Sequence, residues 1–598
     1  MKKSLLVKKL IPVCLLLLLL SCAILGCGGA GDGGATSGED STNGGNTDID
    51  ENTVVLFGGE SSYRLVCAND SEGIWDFPSL LKEKIGIEQS LLLEFESNAE
   101  QEILIGNATS RQESVAQMQI TPYVGYRVEF VGQRLVITAY EKSLLREAFI
   151  SMIDSLQEVK SGMWGLSKDT ILSKNASELS AAIPKFNTAY GEFDGLYNVG
   201  EECYQVSYKN ASKAEFEAYQ ALLAENGYTL YSENTMAQNR FATYIKDQVT
   251  VRIKWLDEWR AFRLSYGPKV YLPATEASKY TPIEGLEPTV TQIGRRGASE
   301  IGGAGESYIV QFVDGRFVVI DGGPWDAEDQ ADLLRFLLDH KPARDEKPRV
   351  TWILTHAHSD HVDLALRFLR DHYDQIELEM VVYSFSNPGT VNSPNATRER
   401  AVIKETDELI RSYLKAYYPN AVRYICRAGD VLKLAGCDIE ILYTHEELTS
   451  YTSGLNCSSV ALRFRFATGH DFLVLGDNED QSCVWIAEAY GSYLKSDIVQ
   501  ASHHGMSGAS RVLYQLLFPK IVFWPTGEVC MSPRELPSVT YNDIYDNKNN
   551  DVLINAENCL HYHASITAVV NMSDLSVTSD QKGYLPHTDE VGEGTLTE

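Results

Sequence analysis

Residues 350–354 form the apolar run Val350-Thr351-Trp352-Ile353-Leu354, and the chain then breaks into Thr355-His356-Ala357-His358-Ser359-Asp360-His361. An apolar run ending in three imidazoles and a carboxylate predicts a buried strand whose C-terminal end opens onto a metal-binding turn. This constrains the fold, because a turn alone cannot close such a site and further ligands must come from other strand ends. His356 and His358 are two apart, so in an extended turn they point the same way and can grip one divalent ion. Asp360 and His361 project to the other side, toward a second ion. Imidazole and carboxylate together suit zinc, with manganese or iron as alternatives, and suit calcium poorly. The competing reading is a set of solvated turn residues. All twelve histidines lie at or beyond His340, a concentration that favours the metal reading.

The pattern His-x-His-x-Asp-His after a strand resembles the signature of the metallo-β-lactamase superfamily. The resemblance implies a two-sheet αββα sandwich with ligands at the C-terminal ends of its strands. The preceding hairpin, Ser307–Val313, Asp314-Gly315 and Arg316–Ile320, runs into Asp321-Gly322-Gly323; in the family, the aspartate at this point braces the metal loop from behind. An Asp-Gly turn with no further role is the alternative for Asp321. Helix Glu328–His340 is expected next. Phe472–Leu475 reads as a buried strand ending in Gly476-Asp477, and Asp477 is the expected bridging carboxylate. Asp497–Ala501 is another strand, ending in Ser502-His503-His504-Gly505. The Gly-Asp and His-His-Gly pairs resemble the branch that contains competence (DNA-uptake) proteins and surface phosphorylcholine esterases. His503 follows the strand immediately and is taken as the ligand, with His504 facing substrate; the reverse assignment stays open. Most family members carry a histidine where this chain has Asn456, in Gly454-Leu455-Asn456-Cys457-Ser458-Ser459. The same replacement is familiar from the competence-type branch. Asparagine is a weak neutral oxygen donor, and His445 is a nearby alternative, otherwise a lone surface histidine.

The expected metal set is therefore His356, His358, Asp360, His361, Asp477 and His503; the first site is completed by Asn456 or His445, or is carried by His356, His358 and Asp477 alone. Asp360 is expected to orient the nucleophile and accept its proton, and His504 to donate to the leaving group or oxyanion. With two divalent ions this implies hydrolysis by a metal-bridged hydroxide, on a phosphodiester or phosphomonoester. The alternatives are a carboxylic-ester or lactone hydrolase, and a non-catalytic surface binding protein with a degenerate site.

The N-terminus, MKKSLLVKKLIPVCLLLLLLSCAILGC, has the basic start, short apolar stretch and small residues of a secretory signal. Its apolar segment is shorter than the roughly 20 residues needed to span a bilayer. Ile24-Leu25-Gly26-Cys27 resembles a bacterial lipobox, which implies a lipoprotein signal segment over residues 1–27 whose last residue, Cys27, is lipidated and becomes the mature N-terminus; Leu19-Leu20-Ser21-Cys22 also fits the pattern. Residues 28–51 are rich in Gly, Ser and Asp and read as a flexible linker. The expected location is the extracellular face of the bacterial cell membrane. With 82 acidic against 52 basic residues, net charge −30, nucleic acid is disfavoured as a partner against a small-molecule or cell-surface polymer phosphoester. Arg398, Arg400, Arg411, Lys415, Arg423 and Arg427 lie in one stretch, as a solvated helix face or a local basic groove. No cysteine pair has thiolate-zinc spacing. Cys426 and Cys437 are close enough in sequence to pair across a hairpin, although spacing does not establish a bond.

Three folded segments are expected, all of α/β type. Residues 52–165 alternate short β-rich runs with helices such as Glu141–Leu156. There, EILIGNATS and YRVEFVGQRLVITAYEKSLLREAF are similar to accessory α/β domains of some bacterial carbohydrate-active enzymes, without a catalytic motif. Residues 185–272 form an α+β segment whose helix follows Asn210-Ala211-Ser212 and places Phe216, Tyr219 and Leu222 on one face. Its aromatic residues suit a core, or a glycan-binding surface. The hydrolase domain is expected over residues 289–585.

Overall fold

The computed structural model describes residues 50–581 apart from 60, 62, 68–75, 98, 107–123, 140–141, 176–182, 185, 187, 189–190, 276–279, 296–304, 389–390, 392, 449–453, 507, 528–543 and 545–546. Cys27, the signal segment and the linker up to residue 49 fall outside these residues. From Glu51 onward the chain forms one compact unit.

Two large sheets carry the C-terminal half. The first runs in the order Val422–Ile425, Glu377–Tyr383, Arg349–Ile353, Phe317–Asp321, Ser307–Gln311, Thr289–Gln292, Ala568–Asn571, Val577–Ser579. The second runs Val431–Leu434, Cys437–Tyr443, Ala461–Phe466, Asp471–Val474, Ile498–Gln500, Ile521–Trp524, Leu560–His563. In each sheet one group of four adjacent strands is parallel, which brings their C-terminal ends to one edge. Side-chain alternation explains the layering. Along Phe317–Asp321, Val318 and Ile320 face the second sheet, while Phe317 and Val319 face outward. Phe472 and Val474 enter the same inter-sheet core, and Leu473 points away from it. Helices Ala327–His340, Ser359–Asp371 and Ala396–Tyr417 contribute apolar residues to the core on the outer face of the first sheet; helix Asp480–Tyr490 does so on the second. The architecture is an αββα sandwich of α/β class.

The N-terminal half builds two more main sheets. Residues 64–175 give a mixed six-stranded sheet whose first four strands, from Leu91–Leu93 through Arg134–Ala139, are parallel. Residues 192–268 give an antiparallel six-stranded sheet with helix Lys213–Glu225 on it. That helix starts where Ser212 and Glu215 make a reciprocal capping box, and it buries Phe216, Tyr219 and Leu223. The two sheets share one hydrophobic cluster, from Leu65, Ile137 and Phe149 to Val206, Val251 and Phe262. Tyr204, Tyr208, Phe216, Tyr219, Trp255, Phe262 and Tyr266 are buried there, so these aromatics make a core and offer no glycan platform. The antiparallel sheet also reaches the sandwich: Met236, Phe241 and Leu256 pack with Trp485, Tyr490 and Leu473.

The basic stretch is neither a groove nor a uniformly solvated face. Arg400 is buried and ion-paired with Asp76, Arg411 and Arg423 both bind Glu201, and Arg427 binds Glu446. Four of the six cations thus serve as ties within the fold; Arg398 and Lys415 are exposed. Cys426 and Cys437 are buried thiols that do not pair with each other.

Candidate metal centre

The motif strand ends at Ile353, and the loop Leu354–His358 leads into helix Ser359–Asp371. The loop is fixed by Asp321. Its carboxylate accepts hydrogen bonds from Thr355 N–H (2.8 Å), Thr355 Oγ1 (2.6 Å) and His361 Nδ1 (2.8 Å). Asp321 adopts a left-handed backbone, φ 54°, a conformation an aspartate tolerates at some cost. Asp321 therefore stands behind the loop. Its bond to Nδ1 leaves His361 Nε2 facing the opposite way, 3.1 Å from Asp477 Oδ2.

Each ring nitrogen around Asp477 is oriented by a comparable bond. His356 Nδ1 lies 3.2 Å from Thr355 Oγ1, which turns Nε2 toward His358 Nδ1 at 3.0 Å and Asp477 Oδ2 at 3.8 Å. His504 Nδ1 donates to Pro525 O (2.7 Å), so Nε2 faces Asp477 Oδ2 at 3.3 Å and Asp360 Oδ2 at 3.4 Å. Asp477 sits directly after Gly476, φ 55°, where an added Cβ would lie 2.9 Å from Ser459 and 3.1 Å from Thr355. Glycine permits the close approach of the two strand ends that brings Asp477 to the histidines. Asp360, His361, Asp477 and His504 each offer an atom, and these atoms all lie within 4.8 Å of one another.

His503 and His504 exchange their expected places. Both adopt left-handed φ, 50° and 57°, and His503 N–H is tied to Gly476 O at 3.1 Å. This tight turn sends the His504 ring into the cluster. The His503 ring is sent toward Glu479, to which its Nδ1 donates (3.1 Å), and toward the Asn456 amide nitrogen (3.2 Å from Nε2). Asn456 also donates to Glu479 Oε1 at 2.6 Å, which leaves its carbonyl oxygen buried without a hydrogen-bond partner. His445 is not a surface residue: it is fully buried, its Nε2 donating to Val199 O (3.0 Å) and its Nδ1 beside Ser384. It is engaged there and takes no part in the cluster.

Two carboxylates escaped the sequence reading. Glu479 holds Asn456 and His503 together, and its only signal was a position two residues beyond Asp477. Glu306, 3.7 Å from His361 Nδ1, is completely buried with neither oxygen hydrogen-bonded, and burial pushes its carboxyl well above the usual range. Its signal was a charged residue at the edge of an apolar strand.

The electrostatics favour positive charge at the centre of the cluster. Burial pulls His504 down, but Asp477 and Asp360 outweigh it and raise it to about 10; burial likewise opposes, and Asp477 and Asp321 override it, in holding His361 well above the ordinary imidazole range. Burial, helped by the charge of His361, holds His356 and His358 low, as neutral donors. Buried His361 Nε2, His504 Nε2 and Asp477 Oδ1 have no hydrogen-bond partner. Ring nitrogens and a carboxylate oxygen that converge without hydrogen-bond partners, and that can exchange their protons for a cation, are the donor set that divalent transition ions require, so the residues fit the metals inferred from the sequence.

No family model matches the sequence, and no curated protein matches it. Solved structures, among them a metallo-β-lactamase fold protein, YhfI, align with part of the chain. YhfI from Bacillus subtilis is 11% identical over 47% of this chain and 97% of its own, with a TM-score of 0.28. Zinc-bound PqqB from Methylobacterium extorquens is 10% identical over 47% of this chain and 99% of its own, at 0.29. The short form of human tRNase Z is 13% identical over 39% of this chain and 90% of its own, at 0.24.

Proposed function

We propose that this protein is a metal-dependent hydrolase of the metallo-β-lactamase type, acting on phosphodiesters or phosphomonoesters. The observation that carries the reading is the convergence of oriented, unpartnered His361 Nε2, His504 Nε2 and Asp477 Oδ1. His356, His358 and Asp477 would hold one ion, with the spare Asn456 oxygen as a further donor. Asp360, His361, His504 and Asp477 would hold the other. When bound, such ions supply a nucleophilic water at neutral pH and polarise the ester. Asp321 keeps His361 in the tautomer that presents Nε2. Asp360, with 38% of its side chain exposed, is the carboxylate placed to orient the nucleophile and accept its proton. Burial raises its pKa, but the neighbouring His504 and His361 outweigh burial and keep the carboxylate ionised, ready to hold an ion or orient a water. His504 faces inward, so the donor role given to it from sequence is withdrawn. His503, Asn456 and Glu479 are braced against one another by hydrogen bonds.

The proposal extends to a protein lipidated at Cys27 and tethered outside the cell, with a small-molecule or surface-polymer phosphoester as substrate and nucleic acid disfavoured by net charge −30. The test is purified protein lacking residues 1–49, assayed for metal content and for turnover of bis(p-nitrophenyl) phosphate, p-nitrophenyl phosphate, single-stranded DNA, p-nitrophenyl acetate and a lactone. Close to two transition-metal ions per chain, with chelator-sensitive cleavage of a phosphoester, is the expected result. Turnover confined to the acetate or lactone would transfer the site to carboxylic esters; less than one ion and no turnover would make it a degenerate site.

A further inference from the structure

The seam between the antiparallel accessory sheet and the sandwich buries more positive than negative charge. Lys254 is ion-paired with Glu446 and with Glu447, Arg263 with Glu447, and Arg427 with Glu446 at 2.7 Å. The fourth basic residue, Arg252, reaches only Asp430, at 3.9 Å. Asp430 is otherwise committed to the Tyr424 hydroxyl and the Arg427 backbone N–H. Four basic side chains thus face three carboxylates. His445 adds no charge, because burial, then Arg427, pushes it down to about 4. Glu201, at the cavity edge, is already balanced with Asp407 against Arg411 and Arg423. The unmatched charge has unmatched donors: Arg252 Nε and Nη2 and Thr250 Oγ1 are buried without hydrogen-bond partners. Arg252 is 7% and Thr250 2% exposed, two residues apart on one face of strand Val249–Leu256. Both line a cavity of about 10 Å³, together with Cys203, Gly267, Ile425 and Arg427. A buried guanidinium left in this state is costly, and a neutral water would satisfy donors without matching the charge.

We propose that this cavity binds a monovalent, monoatomic anion, chloride in the protein's ordinary surroundings, held by Arg252 and Thr250 beside Arg427. The cavity has room for one water-sized sphere, so sulfate, phosphate and carboxylates are excluded. The site lies at the accessory seam, apart from the metal centre, and does not depend on hydrolase activity. Crystals of the full chain soaked in sodium bromide provide the test. An anomalous bromide peak against Arg252 and Thr250 is expected; its absence from this cavity overturns the proposal. In solution, the thermal midpoint should be several degrees higher in sodium chloride or bromide than in sodium gluconate at equal ionic strength. Thr250→Val, which removes one donor with little change of volume, should diminish that halide-specific rise, and Arg252→Met should abolish it. Equal midpoints in halide and gluconate for the wild-type chain would also overturn the site, whether or not Arg252→Met folds.

Discussion

At the residue scale, the two adjacent histidines separate ligand from support. His504 presents Nε2 to Asp477 and Asp360, whereas both ring nitrogens of His503 are engaged by Glu479 and Asn456. His504→Ala should therefore reduce bound metal from about two ions to about one and lower turnover by at least about 100-fold, the cost typical of removing a group that organises a reaction centre. His503→Ala should keep both ions and lose turnover by a smaller factor, through a less restrained Asn456. Metal analysis alongside kcat decides between them: equal metal loss in the two variants would refute the assignment. The sequence made the ligand types legible, because imidazoles and carboxylates at strand ends are rare and chemically specific. It could not resolve His503 from His504, since two consecutive left-handed residues reverse the facing that an extended chain would give. Glu306 was equally hidden, because a single acidic residue beside an apolar strand shows nothing of its burial.

At the element scale, the short helical turn His445–Glu447 is a plug between the accessory sheet and the sandwich, and its histidine makes the plug sensitive to acid. In the folded protein His445 is held at about 4, against an ordinary value of 6.5. The unfolded chain therefore takes up a proton below about pH 6.5 while the folded chain does not. Stability from this group is intact above 6.5 and falls as pH drops toward 4. Between pH 7 and pH 5 the loss should be about 2 kcal/mol. Urea unfolding of wild type and of His445→Gln, which retains a donor and does not titrate, at both pH values measures it; an identical pH response in the two proteins would dismiss the plug as the cause. A second tie works through the helix Ala396–Tyr417. Arg400 donates to Val391 O (2.7 Å) and Pro388 O (3.0 Å) and is ion-paired with Asp76, while Val391 packs against Ala357 of the metal loop and Leu455. Asp76→Ala should loosen this loop from a distance, lowering metal affinity in a chelator titration without removing any ligand. Helix and strand positions of this kind were readable from periodicity, as in the capped helix after Ser212. The partners of Arg400, Arg411, Arg423 and Arg427 were not, because a run of basic residues has the same sequence pattern whether it meets solvent or carboxylates elsewhere in the chain, 324 positions away in the case of Arg400 and Asp76.

At the scale of the whole molecule, the sandwich is not self-sufficient. Its second sheet was legible as strands, yet the outer face of that sheet is completed by Met236, Phe241 and Leu256 from the accessory sheet, and Asn239 donates to Ala489 O at the end of the covering helix. Glu446 and Glu447, both 2% exposed, depend on Lys254 and Arg263 for charge compensation. Removing residues 1–288 would expose the apolar face and leave two carboxylates with Arg427 as the one remaining cation of the set. Breaking a buried ion pair costs about 3–5 kcal/mol, comparable to the whole stability of about 5–15 kcal/mol typical of a domain. The fragment 289–598 should therefore be insoluble or unfolded when expressed alone. Co-expressed with residues 50–288, it should be recovered as a soluble non-covalent complex, because the contacts that join the halves need no covalent link between them. Metal content then gives an independent reading: the complex should bind metal like the intact chain. A fragment 289–598 that is monomeric, cooperatively folded and fully metal-loaded by itself would show instead that the accessory sheets merely decorate the sandwich. The charge arrangement makes that outcome unfavourable, since Glu446 and Glu447 lie adjacent in one short turn and would have to share Arg427 or become solvated by local unfolding.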